Sequence, residues 1–258
     1  MVLPGHDQSG YRVRCEWGPV GAAAVVRPGD VAVVVDVLSF TTTTTIAVAR
    51  GVEVLPFAWR DDRAVEHARA HDAVLAVGRS VARDDPGAVS LSPASVIGAA
   101  GLRRLVLPSP NGSTICAALV DSGARVVAAS LRNATAVGRW AASRVAEGAA
   151  VCLVPAGERW PDGSLRPAVE DLLGAGAVLA ALVDDLPDAD LSPEARVALG
   201  TYRRAVLPDD LHACASGREL AAIGFDRDVE LAARVDADPV VPVLADGVFR
   251  AGAGMMPA

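Results

Sequence analysis

No lysine occurs anywhere in this chain of 258 residues, so all 24 basic residues are arginine. A Walker lysine, a Schiff-base lysine and a lysine general base are therefore excluded, since each needs a primary amine. Cysteine is scarce: Cys15, Cys116, Cys152 and Cys214 lie far apart and form no CxxC pair. Neither a zinc site nor a disulfide framework is indicated, and reduced, mostly buried thiols are expected. A basic stripe is missing too. With 31 acidic residues against those arginines the net charge is -7 and the pI about 5.1, which argues against a nucleic-acid binder but leaves room for a small anion held by a local arginine cluster. Apolar runs fall short of the roughly 20 residues that span a bilayer, and the first residues lack the apolar core of a signal peptide. A cytoplasmic protein with no membrane partner is expected.

What is present is hydrophobic content of 52%, enough to bury a full core without external staples. Strand-like runs alternate with helix-like ones: Val31 to Asp36, Val52 to Ala58, Ala73 to Gly78, the LVLP run within Arg103 to Gly123, Ala124 to Ser130 and Val151 to Pro155 are each followed by a helical stretch. Such alternation predicts an α/β fold in three layers, with a mostly parallel or mixed sheet between helices. From Leu186 onward helices dominate, capped at Ser192 and Ser216 and stopped at Gly200 and Gly224, and they read as a covering layer. Pro239 to Leu244 reads as a final edge strand, because its prolines cannot donate to a ladder on both sides. One domain over residues 1–258 is expected, with residues 1–20 and 246–258 peripheral.

Four strand-to-helix loops concentrate the polar chemistry: Asp36 to Thr45, Ser109 to Thr114, Ser130 to Asn133 and Gly157 to Asp171. Loops at the carboxyl ends of strands are where open α/β sheets bind ligands. The densest stretch is PAGERWPDGSLRPAVEDLLGAG, Pro155 to Gly176, which sets Glu158 and Arg159 on a loop and Pro167, Glu170 and Asp171 in the first turn of the next helix. Threonines 41–45 are poor helix interior but good anion contacts and caps. Asn111 and Gly112 read either as an anion-binding helix start or as a plain turn. Arg79, Arg132 and Arg159 follow strand ends, where a guanidinium can grip oxyanions with two parallel bonds; Asp36, Arg132 and Arg159 are expected to line one cleft.

Hydroxyls and carboxylates suit a hard cation such as magnesium, and no His/Cys cluster exists for zinc. Phosphoryl transfer is the natural reaction class. A cysteine nucleophile would need an arginine closing the same short loop, but Gly21, Ser122, Glu158 and Leu220 stand at that spacing. The histidines, His6, His67, His71 and His212, lie outside all four loops. An aspartyl-phosphate route from Asp36 lacks its second acid, since Leu38 stands there.

The segments DVLSFTTTT, LPSPNGST, SLRNA, AGERW, RPAVEDLLGAGA and SGRELAAIGFDRDVELA, in that order, resemble the 2-phosphosulfolactate phosphatase (ComB) family over roughly residues 30 to 245. The resemblance implies a magnesium-dependent acid phosphatase of α/β/α architecture that releases sulfolactate from its phosphate ester in coenzyme M biosynthesis. It places Asp36, the threonines, Ser109, Asn111, Gly112, Asn133, Glu158, Glu170 and Asp171 on motif positions. The site expected from both readings has Asp36, Glu158, Glu170 and Asp171 as catalytic acids. Thr41, Thr42, Thr43, Ser109, Asn111, Gly112, Ser113, Arg132, Asn133 and Arg159 would contact the substrate, and Asp36, Glu170 and Asp171 would hold Mg2+. Ser39 and Leu91 depart from the family pattern, which has arginine and asparagine there. They keep a second reading open, a non-catalytic or substrate-shifted relative that binds a phosphorylated or sulfonated small acid. The expected partner is a small phosphate ester, with a homodimer left open.

Overall fold

Valine-rich runs form the strands here and alanine- and leucine-rich runs the helices, as their propensities favour. The computed structural model describes residues 5–58, 61–85 and 87–252. Its strands are β1 (Val13–Cys15), β2 (Val31–Val35), β3 (Glu53–Phe57), β4 (Val74–Leu75), β5 (Arg104–Pro108), β6 (Arg125–Ala129), β7 (Val151–Pro155), β8 (Glu158–Arg159), β9 (Leu165–Arg166), β10 (Pro242–Ala245) and β11 (Val248–Ala251). Nine of them form one sheet in the order β1-β7-β2-β6-β10-β11-β3-β5-β4, while β8 and β9 pair with each other. β1-β7-β2-β6 and β3-β5-β4 are parallel blocks. The β10–β11 hairpin lies between them, antiparallel to both neighbours. The sheet is therefore mixed.

That hairpin corrects two expectations. Pro239 to Leu244 was expected at an edge, yet β10 is internal; Pro242 is its first residue, and it meets β6 only at Val243 opposite Val127, so no ladder bond is lost. Residues 246–258 were expected to be peripheral, yet β11 is internal and its Phe249 is fully buried. The signal was Asp246-Gly247, whose φ angles of 51° and 75° are those of a tight hairpin turn. Residues 1–20 are likewise not all peripheral, because β1 pairs with β7. Positions 253–258 lie outside the described residues.

β2 shows why the architecture has three layers. Val31, Val33 and Val35 face a core shared with Val137, Val178, Leu182 and Ala198, on the helices Ala134–Ala146, Val169–Asp185 and Pro193–Arg204. Ala32 and Val34 face a second core with Val25, Phe40, Ile46 and Ile115, on the helices Gly18–Val25, Phe40–Ala49 and Gly112–Leu119. Every residue of β2 is buried, and each fully buried valine contributes about 1.5 to 3 kcal/mol. A strand sealed on both faces can carry a charge only at its exit, where Asp36 stands.

The helical covering layer is present, as Pro193–Arg204, Asp209–Ala213, Ala215–Ala222 and Asp226–Ala232. Ser192 caps the first of these, accepting from Ala195 N at 3.1 Å. Ser216 is not a cap: Cys214 takes that place, its Sγ accepting from Gly217 N at 3.3 Å. Gly200 lies inside a helix rather than ending it. Pro167 precedes the helix that begins at Val169, with Ala168 between them at its N-cap. No helix among the described residues is long and apolar enough to cross a membrane.

Candidate active site

Asp36 leaves β2 almost fully buried, and three donors fix its carboxylate. Oδ1 accepts from Phe40 N at 3.1 Å; Oδ2 accepts from Gly112 N at 2.9 Å and from Ser109 Oγ at 3.4 Å. The start of the helix Gly112–Leu119 thus already holds an anion, and that anion is Asp36. The loop expected to cradle phosphate instead positions acids, for Asn111 Nδ2 donates to Glu158 Oε2 at 3.0 Å. Ser113 Oγ donates to the carbonyls of Ser109 and Phe57, which shapes the loop from within. Glycine is required at 112 because a Cβ there would stand 2.8 Å from Asp36 Oδ2 and 2.4 Å from Phe40 Cδ1.

Asp171 joins two other loops. Its Oδ1 accepts from Val37 N at 2.7 Å, just past β2, and its Oδ2 from Gly157 N at 2.8 Å, just past β7. Gly157 has a φ of +69°, and a Cβ on it would meet Leu165 Cδ1 at 2.7 Å, so both the chain reversal and the approach of β9 need glycine. Glu170, its neighbour, is 2% exposed, and its Oε2 is buried with no hydrogen-bond partner. Adjacent helical residues point about 100° apart, which sends one acid to the loops and the other into the cluster. Both are buried, so neither is a solvated acid merely complementing a helix dipole.

The four acids act on each other electrostatically. Burial raises the Asp36 carboxyl above its ordinary range, and Glu170 adds to the rise. Burial and then Asp36 raise Glu158, against the Asn111 bond and the charge of Arg166. Asp171 is held well above the usual range, by burial first and then by Asp36 and Glu170. Glu170 also lies against Cys214, whose thiol is pushed up to about 12, by burial foremost. Asp36, Glu158 and Asp171 are thus each held against ionisation by burial and by neighbouring acids, which is costly unless a ligand compensates them.

Other expected contacts go elsewhere. Thr41, Thr42 and Thr43 are completely buried. Their hydroxyls donate to the carbonyls of Asp36 at 2.8 Å, Val37 at 2.7 Å and Leu91 at 2.7 Å, so the first two shape the Asp36 loop and the third ties the helix to the segment around Leu91. Arg132, expected to line a cleft with Asp36, is nearly buried with its guanidinium engaged by later segments: its Nε pairs with Asp238 at 2.5 Å and its Nη1 donates to Leu231 O at 2.6 Å. Asn133 is fully buried and ties Ala128 O to Val240 O. Arg159 is exposed on the β8–β9 hairpin, donating to Gly163 O at 3.1 Å. Arg79 is taken up by Asp228, at 3.1 Å, and by Ser39 Oγ, at 2.7 Å. Among the described residues no three acid, histidine or cysteine side chains are arranged to hold a metal ion. The expected triad of Asp36, Glu170 and Asp171 is not arranged as a three-ligand cage: Asp171 spans the exits of β2 and β7 with its two oxygens, and Glu170 is the acid that keeps an oxygen without a partner.

Arg166 and Cys214 were missed. Arg159 stands next to Glu158 in sequence, whereas Arg166 comes opposite Glu158 only through the β8–β9 hairpin, which at two residues per strand is too short to show an alternating pattern in the sequence.

The sequence profile described as 2-phosphosulpholactate phosphatase matches residues 23–247. A protein of Deinococcus radiodurans described as a probable 2-phosphosulfolactate phosphatase is 32% identical over 221 residues, covering 84% of this chain and 89% of that protein. One of Thermus thermophilus with the same description is 31% identical over 226 residues, covering 86% and 91%. Matched over most of its length both by the profile and by these relatives, the chain belongs to the 2-phosphosulfolactate phosphatase family.

Proposed function

We propose that the chain is a magnesium-dependent phosphoric monoester hydrolase acting on a small anionic ester, with 2-phosphosulfolactate as the substrate its relatives' descriptions indicate. The carrying observation is the unpartnered, buried Glu170 Oε2 inside a cluster of carboxyls whose ionisation burial opposes. An all-oxygen donor set of this kind fits magnesium, which takes one or two protein carboxylates and keeps several waters, so a three-acid cage is not needed. Glu170 and Asp36 would hold the ion, and Asp171 would fix the loops around it. Bound there, the ion would neutralise phosphoryl charge and acidify water.

The chain's own groups divide the remaining work. Glu158, partly buried and held by Asn111, has the raised carboxyl suited to a proton donor. In hydrolysis the ester P–O bond breaks while a bond forms from water oxygen to phosphorus. The leaving oxygen takes a proton from Glu158, and the proton released by the attacking water restores it. Ser109, Gly112 and Phe40 hold Asp36 throughout. Phosphate release from a panel of small esters, 2-phosphosulfolactate among them, with magnesium and with a chelator, tests the reading. Magnesium-dependent release from at least one ester is expected; release from none between acid and neutral pH would refute it.

A further inference from the structure

A doubly charged ester has to approach a site lined by four carboxylates, and the residues first singled out to attract it are engaged elsewhere. Arg132 is paired with Asp238, Arg79 with Asp228, and Arg159 is turned to Gly163. Arg166 differs in where it stands. On the β8–β9 ladder it stands directly opposite Glu158, and opposite residues of an antiparallel pair project on the same side. Among the described residues it is in no ion pair. Its Nη2 donates to Ser216 Oγ at 3.3 Å, and its guanidinium sits 5.9 Å from the centroid of the Trp160 ring. A guanidinium carries five N–H donors, so most of the fork is not used by the protein.

The contact with Ser216 fixes where the fork lies. Ser216 is nearly buried at the start of the helix Ala215–Ala222, two residues past Cys214, which lies against Glu170. Arg166 therefore links the hairpin that carries Glu158 to the helix start beside Cys214, the residue against which Glu170 lies, and is only partly buried. Its charge favours the ionised form of Glu158, against burial and Asp36.

We propose that Arg166, steadied by Ser216 and by the Trp160 ring, grips the phosphoryl oxygens of the ester and carries the positive charge that lets a dianion enter the acid cluster. This rests on the phosphatase reading for the identity of the substrate, but the anion site is testable without turnover. A planar fork holding two phosphoryl oxygens matches guanidinium geometry, whereas an ammonium on a flexible stem does not.

The test titrates inorganic phosphate into the full chain, with magnesium present, for the unsubstituted protein, Arg166→Met and Arg166→Lys, alongside melting curves and steady-state kinetics. Arg166→Met should weaken phosphate binding about 10- to 100-fold, the scale of a lost charge-assisted bond, and raise KM more than it lowers Tm. Added guanidinium should restore part of the affinity to the methionine variant. An unchanged phosphate isotherm overturns the assignment, as does a fall in Tm with no rescue by guanidinium, which would make Arg166 a strut of the hairpin. Should the methionine variant fail to fold, the lysine variant decides: binding weakened at least about 5-fold supports the fork, and an isotherm equal to that of the unsubstituted protein refutes it. If the unsubstituted protein binds phosphate yet hydrolyses no ester, the hydrolase reading falls while the Arg166 assignment is still decided by the isotherms.

Discussion

Adding one methyl group at Gly112 should damage the site more than most changes to its charged residues would damage the fold. The Cβ of Gly112→Ala would stand 2.4 Å from Phe40 Cδ1, 3.0 Å from Phe40 Cγ and 2.8 Å from Asp36 Oδ2. Phe40 cannot yield easily, being fully buried and packed edge-on to Phe249 with ring centroids 6.4 Å apart. The helix start must then back away, and Asp36 loses its 2.9 Å bond from Gly112 N. Overpacking of this kind costs about 1 to 3 kcal/mol, and a bond to a charged group is worth about 1.5 to 3 kcal/mol. Alanine's better helix propensity returns at most about 1 kcal/mol. A net loss of about 1.5 to 5 kcal/mol lowers Tm by roughly 3 °C or more in a chain of this size. Turnover should fall further, because a displacement of about 1 Å in a reacting group costs on the order of 100-fold. Differential scanning calorimetry and phosphate-release kinetics read both quantities. A variant with unchanged Tm and kcat would show that Gly112 does not press on Asp36, and the assembly of the site around that contact would be wrong.

Glu170→Gln should lower kcat at least about 100-fold and abolish any rise in Tm produced by magnesium; a retained magnesium shift would remove Glu170 from the ion's ligands. Asp171→Asn can satisfy only one of the Val37 and Gly157 N–H groups, and the other then faces an amide NH2. A loss of about 1 to 3 kcal/mol is expected, with the magnesium shift kept, and urea titration with and without the ion separates this variant from the last. Asp36, Glu158 and Asp171 have carboxyls raised in the folded state. The stability they add is complete below the unfolded value of about 4 and is lost as pH rises through their folded values. Without magnesium the protein should melt higher near about pH 5 than near about pH 7.5. Exposed Asp7, Asp61 and Asp162 and the Arg-paired Glu53 shift the opposite way, so the check is the flatter slope expected of Asp36→Asn; an equal slope would detach the pH response from the cluster.

The parallel strands and the acids were legible in the sequence for the same reason. A run such as VAVVVD cannot be exposed on either face, so its first charge marks the exit of a buried strand. Contacts set by register were not legible. Whether a threonine hydroxyl faces a ligand or its own loop depends on the turn geometry between Asp36 and Thr41; local hydrogen bonding prevails at Thr41 and Thr42, while Thr43 is taken by Leu91, 48 residues on. Arg132 and Arg159 follow strand ends as expected, but what lies within reach of a long side chain is set by the covering layer. Asp238 and Leu231, which hold Arg132, come from about 100 residues later in the chain. The β10–β11 hairpin was hidden by its prolines, although Asp246-Gly247 announced its turn.

Three of the four acids join loops other than their own. Asp36, leaving β2, is held partly by the loop after β5; Glu158, after β7, is held by Asn111 from the loop after β5; and Asp171, on the helix Val169–Asp185, holds the exits of β2 and β7 together. The carboxylates are thus the fasteners of the loops they serve. Fastening accounts for Asp36 and Asp171, whose two oxygens each accept a backbone N–H, but not for the buried Glu170 beside them, whose charge adds to the rise of both and whose Oε2 accepts from nothing. Three raised carboxyls beside a fourth with an unpartnered oxygen would be accounted for by the cationic ligand proposed above, which fastening alone does not require. That ligand would relieve the repulsion in the loaded state, so the same carboxylates destabilise the empty site and order the filled one.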